Sequence, residues 1–330
     1  MYKDAPRWDL CRVNALDHAG ALLLWRTWGR HMADRVKLQP QQEPLFAHLK
    51  LPEGSELPRR RRQWSGPLIA LGRTMMTFAD NTVAAVTLLG QVSFDMLHLA
   101  RHPAQIPWRE ISANVYRTGA QALGITAIVG FLVGVVLSYL SAQQLRSFGA
   151  DIYIVNLLGI SIIRELGPVL AAILVAGRSG SAMTAQIGVM RVTEELDALA
   201  VMGIPHTTRL VLPKMIALGI AMPLLILWTN AIALIGGMVS AQLQLGLDYR
   251  HFITSLPDAV PIANLWLGLG KGVVFGILIA LIACHFGLRI KPNTESLGVG
   301  TTNSVVTAIT IVILVDAVFA IMFSDIGIFS

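Results

Sequence analysis

Four ionisable residues stand where the surrounding sequence is oil. Arg164 and Glu165 fall near the middle of the apolar segment Ile152 to Gly177, Lys271 inside the run Ile262 to Phe286, and Asp316 inside Ser304 to Phe323. At ~1.5 Å per residue, Arg164 lies roughly 18 Å from either end of its segment. A hydrocarbon core of ~30 Å has its midplane about 15 Å from each surface, so neither Arg164 nor Glu165 is expected to snorkel to water. An arginine at that depth costs at least ~3 kcal/mol unless it faces protein, water or a bound anion. Pro168 has no N–H to give the carbonyl of Arg164, and Gly167 loosens the same turn. The site therefore offers a cation, a carboxylate and a free carbonyl at mid-membrane. Intramembrane charges mark a substrate path by default, and a structural ion pair between helices is the other reading. Together with Lys271 and Asp316 the pair sums to zero formal charge, which is how a mutually paired interior would look.

A second constellation follows in the same stretch. Arg191-Val-Thr-Glu-Glu-Leu-Asp197 is too polar to stay in a bilayer, and Gly203 and Pro205 stop whatever helix it forms. Thr193 is the expected N-cap, with Glu194, Glu195 and Asp197 in the first turn, where the helix dipole favours acids. A short helix over residues 193–203 then shows charges on one side and Leu196, Leu199, Ala200 and Met202 on the other. In isolation it would read as a solvated loop helix; placed between two spans it reads as a grip for a partner. Ahead of it, Gly177, Ser181, Thr184 and Gly188 make a small-residue face that admits a close helix.

Other motifs dissolve on inspection. Gly268-Leu-Gly270-Lys271-Gly272 resembles a phosphate loop, but lacks the first glycine of that pattern and the Ser or Thr after the lysine. The histidines sit at no metal-ligand spacing, and no nucleophile elbow or HExxH string occurs. The expectation is no catalytic residue, no metal and no cofactor in this chain.

The elements that must position these groups are membrane helices. With 54% hydrophobic and 14% charged residues and a mean hydropathy of +0.60, the chain lies far from a soluble globular average. Five spans are expected: Thr118 to Leu140, Ile152 to Gly177, Leu210 to Leu234 extending toward Ala241, Ile262 to Phe286, and Ser304 to Phe323. Arg178, Arg191, Arg209 and Lys214 flank the second-to-third connection, and Arg289 and Lys291 the fourth-to-fifth. The other side has mainly Arg146 and Arg250. The positive-inside rule makes the 193–203 segment and the N-terminus cytoplasmic, and puts the C-terminus on the opposite side. Leu68 to Ala100 is apolar, but Arg73, Asp80, Asn81, Gln91 and Asp95 interrupt it, so an interfacial helix bent at Gly90 is expected. Trp108, Arg109, Tyr116 and Arg117 read as anchors at the membrane surface.

Residues 1–50 have another character, with no signal peptide. A strand at Arg7 to Val13, a turn at Asn14 to Asp17, a helix from Ala19 to Trp28 ended by Gly29, and a second helix from Glu43 to Leu49 are expected. A linker over 51–67 carries Arg59 to Arg62, better suited to an anionic leaflet than to nucleic acid, for which no reading motif is present. Cys11 and Cys284 lie in regions too different for a disulfide.

The string RELGPVLAAILVAGRSGSAMTAQIGVMRVTEELDALAVMGI, Arg164 to Ile204, resembles the signature of the MlaE-type permeases, and the similarity runs from about Leu68 to the C-terminus. These are the membrane subunits of ABC transporters that move phospholipid between the inner and outer membranes of Gram-negative bacteria. The resemblance implies an all-α integral membrane protein of five transmembrane helices after an interfacial elbow helix, working as a homodimer in the inner membrane. It also implies a separate ABC ATPase subunit that uses the ATP, a periplasmic MCE-type lipid-binding protein and a periplasmic C-terminus. By the same resemblance Arg191, Thr193, Glu194, Glu195 and Asp197 form the coupling helix that docks on the ATPase. The resemblance also puts the Arg164–Glu165 pair in the lipid cavity; from their positions, not from the family, Gly167, Pro168, Lys271 and Asp316 are expected there too, with Arg164 on lipid phosphate and Lys271 and Asp316 holding the cavity's shape. ALDHAGALLLWRTWG, Ala15 to Gly29, resembles the second half of a STAS domain, a regulatory α/β module whose earlier strands are missing here; a STAS-type regulator is a further implied partner. The alternative from another class is an ATPase-independent channel or ion-coupled carrier, with the four charges as ion path.

Overall fold

A computed structural model describes residues 8–11, 13, 16–29, 31–33, 36–47, 49, 66–102 and 106–327, and the chain divides into two units, Met1–Met75 and Met76–Ser330. The run Arg59 to Arg62 and the rest of the expected linker up to residue 65 lie outside the described residues, as do Arg7, Arg12 and Asn14 of the expected strand and turn.

The first unit contains a small strand–helix–strand core. Strand β1 (Trp8–Asp9) pairs in parallel with β2 (Val36–Lys37), with helix α1 (His18–Thr27) between them in sequence, and α2 (Glu43–Ala47) follows. Asp17 caps α1 by accepting from the Gly20 N–H at 2.7 Å, and Gly29 at φ 76° lets the chain leave it. Leu10, Ala21 and Phe46 form the core, with Trp28 stacked on Phe46 at 5.4 Å. The sequence reading missed β2, because two residues are too few to show an alternating pattern.

Among the described residues, six helices are long and apolar enough to cross a membrane by length and composition, one more than the sequence reading counted. The extra one is α3 (Gly66–Arg101), a single helix that runs unbroken through Gly90. Two ties decide how it lies. Arg289 Nη1 donates to Asp80 O at 3.0 Å, and Thr207 Oγ1 bonds the Asp95 carboxylate. Asp80 and Asp95 are about 22 Å apart along the helix at ~1.5 Å per residue. Yet Thr207 and Arg289 sit at the same end of the bundle, at the start of one span and the end of another. So α3 lies across that end as an elbow; a crossing helix would place the two ties on opposite faces.

The bundle itself follows. Helix α4 (Trp108–Thr118) leads into α5 (Leu123–Ser147), the first span. The second is one helical rod over residues 151–192, built from α6 (Ile154–Ile160), α7 (Gly167–Val175) and α8 (Ser181–Val192) joined by π-helical turns at Ser161–Leu166 and Ala176–Gly180. The short α9 (Glu195–Val201) comes next, then α10 (Leu212–Leu245), α11 (Tyr249–Ala259), α12 (Ile262–Leu288) and α13 (Thr294–Met322). Helix α10 is central and packs most extensively on α5 and α12. A Cβ at Gly134 would overlap the Ala233 carbonyl, and one at Gly236 the Phe131 carbonyl, so α5 and α10 touch backbone to backbone.

Three boundaries differ from the sequence reading. Helix α5 begins five residues after the expected Thr118, because Gly119 ends α4 and a short turn at Ala120–Ala122 intervenes. Helix α10 continues to Leu245, since its glycines are contact points rather than stops. Helix α13 starts at Thr294, ten residues before the expected Ser304, because the Asn293 side chain accepts from the Ser296 N–H at 2.7 Å and caps a polar first turn.

Candidate functional site

The first π-helical turn follows from Pro168. With no proline N–H to fill the Arg164 carbonyl, the ladder slips a residue, and the Gly167 N–H bonds to Ile162 O five residues back. The freed Arg164 carbonyl does not stay open: Lys271 Nζ donates to it at 3.3 Å. The same ammonium donates to Glu165 Oε2 at 2.6 Å and to Asp316 Oδ1 at 2.9 Å, so its three N–H bonds are all spent. Lys271 is fully buried, as such a charge must be if its partners replace water. The four charges that the sequence scattered over three spans therefore meet in one network.

Arg164 uses its donors differently from the expectation. Its Nε donates to Glu165 Oε1 at 3.3 Å, one Nη to Asn264 Oδ1 at 3.2 Å and Ile326 O at 2.6 Å, and the other to Phe323 O at 2.7 Å. Four of its five N–H bonds thus go to protein, and the residue is 6% exposed. The guanidinium holds the turn after α13 against the start of α12, and Asn264 Nδ2 adds a bond to Gly327 O at 3.1 Å. What the network shows outward is carboxylate: the Glu165 side chain is 34% exposed and that of Asp316 18%.

The network also lies shallower than the mid-membrane position expected from the sequence. The Arg164 guanidinium lies level with the first turn of α12 and the end of α13, and Lys271 is about nine residues, or ~13 Å, into α12. The network is nearer one end of the bundle than its centre. The reason is α11: Ile154, Val155, Leu158 and Ile162 pack with Phe252, Ala259 and Val260, so the first turns of the apolar rod are covered by protein. Gly167 and Pro168 shape the remaining wall. A Cβ on Gly167 would strike the Asn230 side chain, and Pro168 packs where Gly268 lets α12 come within reach of the Ile163 carbonyl.

The rod carries this site to the other end of the bundle. Along the way Thr184 Oγ1 lies 3.0 Å from Ala283 O and 2.8 Å from Ser304 Oγ, and Gly188 meets Ile290 and Leu297, so α8 is fixed to α12 and α13. Of the small-residue face, Thr184 and Gly188 make this contact, whereas a Cβ at Gly177 would meet open space.

Thr193 is not the N-cap of the short helix. It ends α8, and its hydroxyl donates to Glu195 Oε1 at 3.0 Å. The cap position belongs to Glu194, at φ 61°, a left-handed residue that makes the corner between α8 and α9. Arg191 Nη1 and Asp197 Oδ1 close the corner at 2.7 Å. Leu196 is buried and Leu199 packs on the core, but Val201 and Met202 are 89% and 63% exposed. Met202 thus does not join Leu196 and Leu199 on the covered side, where helical spacing alone would put it. The corner presents Glu194, Glu195 and two uncovered apolar side chains.

Family comparison fits this geometry: residues 111–322 match the model of the family described as permease MlaE. The chain belongs to the MlaE permease family. A probable ABC transporter permease protein of Synechocystis is 34% identical over 227 residues, covering 69% of this chain and 84% of the relative. The intermembrane phospholipid transport system permease protein MlaE of Haemophilus influenzae is 35% identical over 207 residues, 62% of this chain and 79% of the relative. A chloroplastic protein of Arabidopsis thaliana, trigalactosyldiacylglycerol 1, is 28% identical over 219 residues, 66% and 63% respectively. The part matched to the MlaE family contains both the charge network and the α8–α9 corner, and begins after the strand–helix–strand unit.

Proposed function

We propose that this chain is the membrane subunit of an ABC transporter that moves phospholipid between the inner and outer membranes and draws its energy from a separate ATPase. The observation that carries the reading is the single rod over residues 151–192, with a polar network at one end and an exposed acidic and apolar corner at the other. Nucleotide-driven closure of an ATPase pair would push on Glu194, Glu195 and Asp197, and the rod would tilt the wall holding Glu165. Arg164, Glu165, Gly167, Pro168, Lys271 and Asp316 then form one wall of the lipid cavity, completed by a second copy of the chain. Its open edge is anionic, which suits an ammonium-bearing head group. A periplasmic MCE-type protein would receive or deliver the lipid. The α8–α9 corner faces the cytoplasm and the C-terminus the periplasm of an inner-membrane protein, as the basic residues at the corner's end of the bundle favour. The strand–helix–strand unit fills a regulatory, STAS-like role.

Glu194→Lys with Glu195→Lys tests the coupling role directly. Pull-down of the ATPase is expected to be lost while the purified permease keeps its melting temperature. Binding that survives both reversals would remove α9 from the docking surface. The partly exposed carboxylates of Glu165 and Asp316 also favour a second reading, an ion-coupled carrier. Such a carrier would work without any ATPase.

A further inference from the structure

A second polar cleft opens at the end of the bundle that carries α9, remote from the four-charge network. Its outer part is lined by Glu110, Glu195, Arg209 and the buried Lys214, with Arg209 paired to Glu110 at 2.8 Å. Its inner part, a cavity of about 490 Å³, shares Asn114, Arg117 and Gln186 with the outer one and adds Gln121, Arg178 and Ser179. Among the described residues no acid lines this inner part, so two guanidiniums and three carboxamides face a space without a counter-charge from them. Arg178 is steadied by its bond to Gln121 Oε1 at 2.9 Å. Ser179 supplies an independent sign: it is 6% exposed, lines the cavity, and its Oγ has no hydrogen-bond partner among the described residues. A buried hydroxyl without a partner is costly, and a ligand oxygen would satisfy it. Arg178 and Ser179 also sit in the second π-helical turn, Ala176–Gly180, the kind of local slip that re-aims groups at ligand sites.

We propose that the inner end of this cleft is a seat for a phosphate-type oxyanion, held by Arg117, Arg178 and the Ser179 hydroxyl. Arginine forks match two oxygens of such a group, and the carboxamides and hydroxyl donate to the rest. Arg178 is about 21 Å along the rod from Arg164 at ~1.5 Å per residue, so this seat lies toward the opposite leaflet from the network. Ala182 and Met183 add an apolar wall beside it, which leaves room for an acyl chain. The oxyanion therefore comes either from a phospholipid of that leaflet or from a free phosphate ester. The seat lies outside the cavity wall of the transport reading, and its binding is measured without transport.

The test is titration of the full-length chain in detergent micelles with dihexanoyl phosphatidylglycerol and, separately, with inorganic phosphate. Arg178→Gln is expected to weaken binding about tenfold or more, the loss of one charge-assisted bond. Ser179→Ala removes a hydroxyl with no protein partner, so it should fold as the parent does and weaken binding roughly fivefold. Arg250→Gln, at the other end of the bundle, should change nothing. Sensitivity to Arg178→Gln and Ser179→Ala with the lipid alone identifies a head-group seat, and with both ligands a seat that reads phosphate itself. If neither ligand binds the parent chain, or both bind the two variants as tightly as the parent, the proposal is overturned.

Discussion

At the scale of single residues, Lys271 is the hinge of the buried chemistry. Its ammonium is the common partner of Glu165, Asp316 and the Arg164 carbonyl. Lys271→Met strips Asp316 of its cation and leaves Glu165 with only the 3.3 Å contact from Arg164, and should destabilise the chain by about 3–5 kcal/mol. Combining it with Glu165→Gln and Asp316→Asn should recover most of that loss, and thermal unfolding in detergent measures both. Arg164 acts on a different target, the turn from Phe323 to Gly327. Arg164→Ala should therefore raise hydrogen exchange at the amides of residues 324–327 while exchange in α10 stays unchanged. Meeting of the four charges was legible in the sequence, because charge placed in oil has to find charge. Arg164's other partners were not, since Asn264 and the backbone carbonyls of a terminal turn leave no mark in hydropathy.

At the scale of elements, the order of the apolar helices after α3 followed from apolar length, and errors gathered where packing or capping overrides composition. The α5–α10 crossing depends on Gly134 and Gly236, whose missing side chains let carbonyls touch the neighbouring helix. Gly134→Leu should cost about 3 kcal/mol or more, read as a lower melting temperature and poor recovery from the membrane. The α8–α9 corner was misread by one position, because a glutamate in a left-handed conformation gives no signal of the kind that glycine gives. Glu194→Gly relieves that conformation and should raise stability by roughly 0.5–1 kcal/mol. If it also weakens ATPase binding, the carboxylate itself makes contact, because the corner geometry is retained. The π-helical turns could have been anticipated in part: Pro168 announces the first, whereas the second has only its glycines.

At the scale of the whole molecule, helix α3 shows what length and composition leave open. Its apolar stretch is long enough to cross, and two ties to one end of the bundle lay it flat instead. The same architecture explains why the chain keeps its polar groups in oil. Thr184 and Gly188 fix the rod to α12 and α13, and every cation of the network is held; in the proposed transporter these contacts would let the rod pass on displacement without the wall collapsing. The most direct measurement is phospholipid transfer by proteoliposomes containing this chain, with and without its ATPase. Transfer is expected to start on ATP addition, to need the ATPase, and to disappear in the Glu194→Lys, Glu195→Lys variant. Transfer that proceeds at the same rate without the ATPase, or in that variant, would contradict the account.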